Sequence, residues 1–363
     1  MNFCQTGFDA RMSRRSSNRV TIVQVAEAAG VSTQTVSRVV NNITGVLPET
    51  RERVQAAVKR LRYRPNVIAR SLSQIRTRTL GVVTAGLDFF GPSKTLVGIE
   101  RKANEEGFSL SLHLLHRPET DDVQSVIDGF ISRQVDGIIW ATQEIGANLE
   151  WLDRDPPPIP VVFLESRPRP KVPGVNVDSR LGGRIAVTHL LARGYRHVGV
   201  ITGPLAWWSA RERMQGWKDA LASAGIAAEE RFSAEGDWTT GGGALGLERL
   251  LGQFPEMDAV FVCNDQMALG VLQTSRKLGR RVPEDLAVVG YDDIPEAEFF
   301  WPSLTTVRQD LMRLGSSVVE LLSGLIAARW EGRTGGETPG TRWIPPELVV
   351  RESSGTGRPP GAS

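Results

Sequence analysis

Between residues 207 and 311 the chain places polar and aromatic side chains just beyond successive short apolar runs. HVGVITG leads into GPLAWWSARER, with Trp207, Trp208, Ser209 and Arg213. EGDW supplies Trp238, DAVFVCND ends on Asn264 and Asp265 with Gln266 next, and LAVVGYDD ends on Asp292 and Asp293. Leu311 follows LTTVRQD. Upstream, Phe89, Gly91 and Pro92 follow LGVVTA, Trp140 closes DGIIW, and Glu165 follows VVFL. Carboxylates and amides accept from and donate to neighbouring hydroxyls, while an aromatic face covers the less polar side of a ring. A sugar fits that chemistry. An arginine beside carboxylates is also what an ordinary structural ion pair looks like. Other chemistry fares worse. No GxGxxG opens a strand-helix unit, and no GxxxxGK[ST] loop is present. TTGGGALG (239–246) lacks the lysine of a phosphate loop and reads as a helix start, and Ser209 is not in a GxSxG elbow. Adjacent Asp292 and Asp293 would point apart in extended backbone, which suits no carboxylate pair acting on one bond. The four histidines lack metal-ligand spacing, and Cys4 and Cys263 stand in unlike contexts. Neither a cofactor nor an enzymatic activity is expected.

The elements that must position this set alternate along the chain. LGVVTA, SLSLHLL, DGIIWA and VVFLE read as buried strands, with helices around Thr95–Glu106 and Val123–Gln134 between them. Past Asn176–Asp178 the alternation resumes with HVGVITG, DAVFVCND and LAVVGYDD, and with helices near Leu181–Arg193, Ala210–Ala224, Gly242–Leu251 and Asp265–Lys277. This predicts an α/β fold with two doubly wound parallel sheets and a cleft between them. In such sheets ligands sit beyond the carboxyl ends of the strands, where the residues named above fall. The body is expected to span 79–351, as one subdomain of 79–177 with 309–336 and a second of 178–308 with 337–351. LTTVRQD, the helix Met312–Ala328 and the strand ELVVRES would stitch the two together. Residues 1–18 and 352–363 read as disordered tails. No apolar run of transmembrane length and no signal peptide is evident, so no membrane partner and a cytoplasmic address are expected.

A second kind of chemistry precedes the body. Val20–Asn41 reads as two short helices joined at Gly30, with Thr21 and Gln24 as a capping box and Ser32 capping the second helix. That helix carries Thr33, Gln34, Thr35, Ser37 and Arg38 outward and keeps Val36, Val39 and Val40 for a core. Short polar side chains and an arginine at a helix start suit the edges of bases in a major groove. A plain helical hairpin with a solvated face has the same pattern. A third helix from Pro48, with Val54, Ala57, Val58 and Leu61 on one side, completes a helix-turn-helix domain over 19–64. Charge separates the two readings. Residues 1–78 carry a net +10 and the remainder −8, which is a polyanion-binding head on an acidic body. The linker 65–78 holds a short helical stretch, Asn66–Leu72, too brief to be stable alone. Leu72 there is either a minor-groove wedge or ordinary linker packing.

In order and spacing, VAEAAGVSTQTVSRVVN, YRPNVIARSL, GPLAWWSARERMQGW, EGDW, NDQMALG and GYDD resemble the lactose/galactose repressor family of bacterial transcription regulators, from about Val20 to Arg351. The resemblance implies a helix-turn-helix head, a hinge helix and a periplasmic-binding-protein-like body. It implies a sequence-specific repressor, homodimeric on pseudo-palindromic operator DNA, whose operator affinity is set by a small sugar between the subdomains. Thr33, Gln34 and Arg38 would then read bases, and Thr21, Ser32, Thr35, Ser37, Asn41, Tyr63, Asn66 and Ala69 would be further DNA contacts. Leu72 would be the hinge wedge. The effector would meet Phe89, Gly91, Pro92, Trp140, Glu165, Trp208, Ser209, Arg213, Trp238, Asn264, Gln266, Asp292 and Leu311. Thr33 departs from the family's lactose-responsive members, so the operator should differ, and departures at Trp140, Glu165 and Val177 leave the exact sugar open. Some members need a corepressor such as a purine instead. A sugar-binding transport protein would share the body, but the basic head and the absence of a signal peptide oppose it.

Overall fold

The computed structural model describes residues 20–40, 44–63, 76–146, 148–154, 156–333 and 339–355. The expectations for residues 1–18, Asn41, Asn66, Ala69 and Leu72 lie outside these residues. The chain divides into two compact units, Met1–Thr77 and Arg78–Ser363.

The first unit holds three helices, α1 (Ile22–Ala29), α2 (Thr33–Val40) and α3 (Pro48–Arg60). Thr21 opens α1 with a reciprocal cap, its side chain accepting from the Gln24 amide while the Gln24 side chain accepts from the Thr21 amide. Gly30 ends α1 in the left-handed region at φ 63°, where a Cβ would be strained, and that residue turns the chain into α2. Val25, Ala26, Ala29, Val36, Val39, Val54 and Ala57 form the small core.

The second unit contains two six-stranded sheets. Its strands are β1 (Thr79–Thr84), β2 (Ser109–Leu114), β3 (Gly137–Ala141), β4 (Val161–Leu164), β5 (Gly174–Val177), β6 (Val198–Thr202), β7 (Ser233–Glu235), β8 (Ala259–Val262), β9 (Ala287–Asp292), β10 (Thr305–Arg308), β11 (Thr341–Ile344) and β12 (Glu347–Val349). Its helices are α4 (Phe90–Glu105), α5 (Val123–Ser132), α6 (Trp151–Arg154), α7 (Ser179–Ala192), α8 (Trp208–Ser223), α9 (Thr240–Gln253), α10 (Asp265–Lys277) and α11 (Leu311–Trp330). The first sheet has the order β11-β5-β4-β3-β1-β2 and the second β12-β10-β9-β8-β6-β7. Every pairing is parallel except β10 with β12. Strands β6, β8 and β9 are buried along their whole length, as continuous apolar runs covered on both faces should be.

The helices start where the strands stop, because the residue between them is a cap. Asp178 accepts from the Leu181 amide, Thr239 from Gly242, Asn264 from Met267 and Asp310 from Arg313. Helix starts and strand ends are therefore gathered on one side of each sheet. The chain passes between the subdomains three times, after β5, after β10 and between β11 and β12.

Three sequence expectations need correction. β11, grouped with the second subdomain, pairs with β5 in the first sheet, and only β12 joins the second. The run TRWI that forms it lies on the sheet edge with only Ile344 buried, and lacks the apolar continuity of the central strands. Residues 352–355, read as the start of a tail, are held in place. Ser353 and Ser354 are buried, Ser353 donates to the Val288 carbonyl, and Ser354 bonds Thr305 and His189. Finally, α11 is by length and composition apolar enough to cross a membrane, with mean hydropathy 1.5. Here Leu314, Val318, Leu322 and Ile326 pack it against the first sheet as a core helix.

Candidate functional site

In the first unit, Thr33, Gln34 and Arg38 are exposed along α2, and none has a side-chain partner among the described residues. Ser32 and Thr35 are partly used by the fold. The Ser32 hydroxyl accepts from the Thr35 amide at 3.2 Å and lies 3.0 Å from the Thr35 hydroxyl. The Thr21 hydroxyl is likewise taken up by its cap, and Tyr63 packs half-buried against the helix core. The face left free for a ligand is thus Thr33, Gln34 and Arg38, at the start of a helix held rigidly by its two neighbours.

In the second unit, the carboxyl ends of the central strands surround a cavity of about 850 Å³, its open mouth included. Phe89, Gly91, Pro92, Glu165, Ser209, Arg213, Trp238, Asn264, Gln266, Asp292 and Leu311 all line it. Arg213, one turn into α8, is only 7% exposed. Its guanidinium donates to the Cys263 carbonyl, lies 3.8 Å from the Asp292 carboxylate, and sits over the Tyr291 ring at 3.7 Å and the Trp238 ring at 5.5 Å. A buried cation needs this much company, since desolvation costs it several kcal/mol.

Asp292 ends β9 at φ 117° and Asp293 follows at φ 53°. The two carboxylates diverge as adjacent residues should. Asp292 faces the cavity and accepts from Gln309 at 2.6 Å, while Asp293 is clamped by Arg308 and Arg351 at 2.6 and 2.8 Å. Beneath them Asp265 is fully buried, accepting from the Thr306 hydroxyl at 2.6 Å and the Ile294 amide at 2.9 Å. Burial, and then the charge of Asp292, drives the Asp265 carboxyl well above its ordinary range. Burial lifts Asp292 itself to about 6, against the pull of Arg213 and Gln309. Glu165, at φ 49°, accepts from the Val177 amide at 2.6 Å, and burial lifts it to about 7. Asn264 spends much of its amide on structure. Its oxygen caps α10 and its nitrogen donates to the Trp238 carbonyl at 2.9 Å, holding Trp238 at φ 69°. By contrast, Ser209 and Gln266 have no side-chain partner among the described residues and are available to a ligand.

Two expected site residues lie elsewhere. Trp140 is fully buried on the far face of the first sheet, with ring centroids 5.2 Å from Trp151 and 6.4 Å from Phe163. The strand period of two explains this, because Ala141, the next residue, is the one that turns to the cavity. Trp208 points away from the cavity toward Trp343 at 6.2 Å, and its neighbour Trp207 takes the lining position. Sequence reasoning also missed Thr84, Phe90, Thr95, Gln143 and Gln309. Gln309 had a signal, since it directly follows β10 just as Asp292 ends β9. Thr95 and Phe90 sit within a helix, where the strand-end rule says nothing.

Residues 21–66 match the family described as bacterial regulatory proteins, lacI family, and residues 187–354 match a periplasmic binding protein-like domain. Over 335 residues the chain is 32% identical to the lactose operon repressor of Escherichia coli K12, covering 92% of this chain and 91% of that one. It is also 32% identical over 335 residues to the HTH-type transcriptional repressor PurR of Haemophilus influenzae, covering 92% and 98%. Among solved structures, the lac repressor dimer bound to operator and the anti-inducer ONPF matches with a TM-score of 0.83 at 31% identity, over 93% of this chain and all of that one. A complex of the transcriptional regulator CelR with cellobiose matches with a TM-score of 0.68 at 32% identity, over 92% and 100%. An exposed polar helix start on a basic three-helix unit, a two-sheet body with a lined cavity, and identity along nearly the whole chain lead to one conclusion: the protein belongs to the lacI family of bacterial regulatory proteins and is a DNA-binding transcriptional repressor.

Proposed function

We propose that this repressor is controlled by a small sugar bound in the cavity between the two sheets, and that the sugar releases it from its operator. The observation that carries this reading is the polar floor of the cavity. The Arg213–Asp292 pair, the unpartnered Ser209 and Gln266, and the flat ring of Trp238 offer both donors and acceptors beside an aromatic face. A ring with neighbouring hydroxyls uses all of them. Thr33, Gln34 and Arg38 read base edges, and the basic head supplies the phosphate attraction. The protein acts in the cytoplasm as a homodimer on a pseudo-palindromic site. Phe299 and Trp301, 79% and 88% exposed, are apolar side chains that a second copy would cover.

A sugar in the cavity touches both subdomains, so it favours one subdomain arrangement over another. If that arrangement disfavours DNA, operator and sugar must weaken each other by the same factor. The test is a gel shift of the full chain on its own upstream DNA, repeated with a panel of sugars. A specific shift released by one sugar is expected, together with an equal loss of affinity for that sugar when operator is present. Unchanged sugar affinity with operator would remove the mechanism. The identity to PurR repressors supports a second reading, a corepressor such as a purine base. A shift that forms only when a purine is added would establish that reading instead.

A further inference from the structure

The two subdomains are held by more than the chain that crosses between them. At the crossings the Asp178 amide donates to the Ile344 carbonyl, and Gln309 donates to Asp292. Away from the crossings the contact is aromatic, and it comes from two adjacent residues of the second subdomain at the start of α8. Trp207 meets Phe89 edge-on, ring centroids 6.1 Å apart at 86°. Trp208 meets Trp343, 6.2 Å apart at 44°. Both partners belong to the first subdomain. Phe89 lies in the loop after β1 and Trp343 on β11, with three strands between β1 and β11 in the sheet. Trp207 lines the cavity and Trp208 does not. The loop before Phe89 also closes on Trp207, since a Cβ on Gly86 would lie 3.9 Å from that ring. Trp343 stays 46% exposed, so the first sheet does not use it as core. What it covers is Trp208, 6% exposed, in the other subdomain.

Two bodies that touch at two separate points can turn only about the line through those points without losing a contact. Any other rotation of one subdomain on the other breaks the Trp207–Phe89 pair, the Trp208–Trp343 pair, or both. An aromatic pair is worth a factor of roughly 2 to 10 beyond the area it buries. Two pairs acting together reach roughly 5 to 150, which is the size of an ordinary coupling between two sites.

We infer that Trp207 and Trp208 form a two-point clasp that holds the subdomains in the arrangement of this structure, and that this is the operator-binding arrangement. The second half rests on the sugar reading above, in which the ligand opposes the operator. Phe89 and Trp207 both line the cavity, so a ligand seated there takes up ring surface that the two now give to each other. Ligand and clasp therefore oppose one another, and the clasp sides with the operator. The competing account is local packing, in which Trp343 shields Trp208 and has no bearing on how the subdomains sit.

The test uses the full-length protein and needs no effector. Trp343 is the position to change, because it lies outside the cavity and is half exposed. Trp343→Ala removes one of the two contacts, and Trp343→Phe keeps an aromatic face. The first readout is affinity for the specific fragment that a gel shift finds in the upstream DNA. It should fall about three- to tenfold in Trp343→Ala, while affinity for sonicated nonspecific DNA is unchanged, and Trp343→Phe should recover most of the loss. The second readout is hydrogen exchange without DNA. The loop 85–90 has no ring contact with Trp343 among the described residues. In Trp343→Ala it should exchange about threefold faster, because with one point gone the other opens more often. Faster exchange confined to the surroundings of Trp208 means local packing and overturns the clasp. Faster exchange at 85–90 with unchanged or tighter operator binding overturns the assignment to the operator-binding arrangement. A purine that proves to be a corepressor overturns that assignment too, whereas the exchange result does not depend on which ligand the cavity takes.

Discussion

At the scale of single residues, the cavity is a place where carboxylates are kept from ionising freely. Glu165 is the sharpest case. It has one amide donor, from Val177, and one distant cation in Arg213, and burial outweighs both. A carboxyl whose folded value is about 7 holds a proton that the unfolded chain has already released by about pH 4.5. Its contribution to stability is therefore complete below about pH 4.5 and is lost as pH rises through 7. Glu165→Gln removes that loss while still accepting from Val177. The variant's stability advantage over the natural protein should grow between pH 5 and pH 8, to about 2 kcal/mol after allowance for water in the cavity. Paired urea titrations at the two pH values measure it, and an advantage that does not change with pH would mean that the carboxyl titrates normally. The comparison is made within one pair of proteins because His189, lowered to about 4 by burial, shifts stability the opposite way over part of this range.

At the scale of elements, the helices that carry the site are packed through glycine. A Cβ on Gly216 of α8 would lie 2.1 Å from the Arg180 carbonyl oxygen, and one on Gly183 of α7 would lie 2.2 Å from the Arg213 carbonyl oxygen. The two helices thus cross with backbone against backbone. The same arrangement recurs between α9 and α10 at Gly243 and Gly270, and between α4 and α11 at Gly98 and Gly315. Each crossing locks a helix whose first turns reach the cavity. Gly216→Ala should cost about 3 kcal/mol in urea unfolding, because backbone cannot move aside as a side chain can. Gly252→Ala, in α9 with open space around it, is the control and should be neutral or stabilising by up to about 1 kcal/mol. Equal effects at both positions would show that the α7–α8 crossing is not tight.

At the scale of the whole molecule, Phe299 and Trp301 are the large apolar side chains left most open among the described residues of the body. If a second copy covers them, the natural protein should sediment as a dimer at micromolar concentration and Trp301→Asp as a monomer. Operator affinity should fall at least a hundredfold, because two linked heads gain from each other's effective concentration. A variant that remains dimeric would place the interface elsewhere. The three chain crossings between the sheets give the body a joint through which the cavity and such an interface can be coupled.

The sequence by itself determined the periodic part of this protein. Buried parallel strands are runs of apolar residues, and caps such as Thr21, Asp178, Thr239 and Asn264 are local signals, so the element order and the kind of fold were legible in it. The strand-end rule likewise found Arg213, Gln266 and Asp292, because it needs only the sequence position at which a strand stops. What tertiary structure decided was facing and partnership. Trp140 and Ala141 are neighbours on one strand and differ only in the face they present, and the same holds for Trp208 and Trp207 at a helix start. A shift of one residue in such a pattern is too small for composition to detect, yet it reverses which side chain faces the cavity. β11 and the pair Ser353 and Ser354 were missed for a related reason. Each is held by partners more than 40 residues away in the chain, and nothing in their local sequence encodes those bonds.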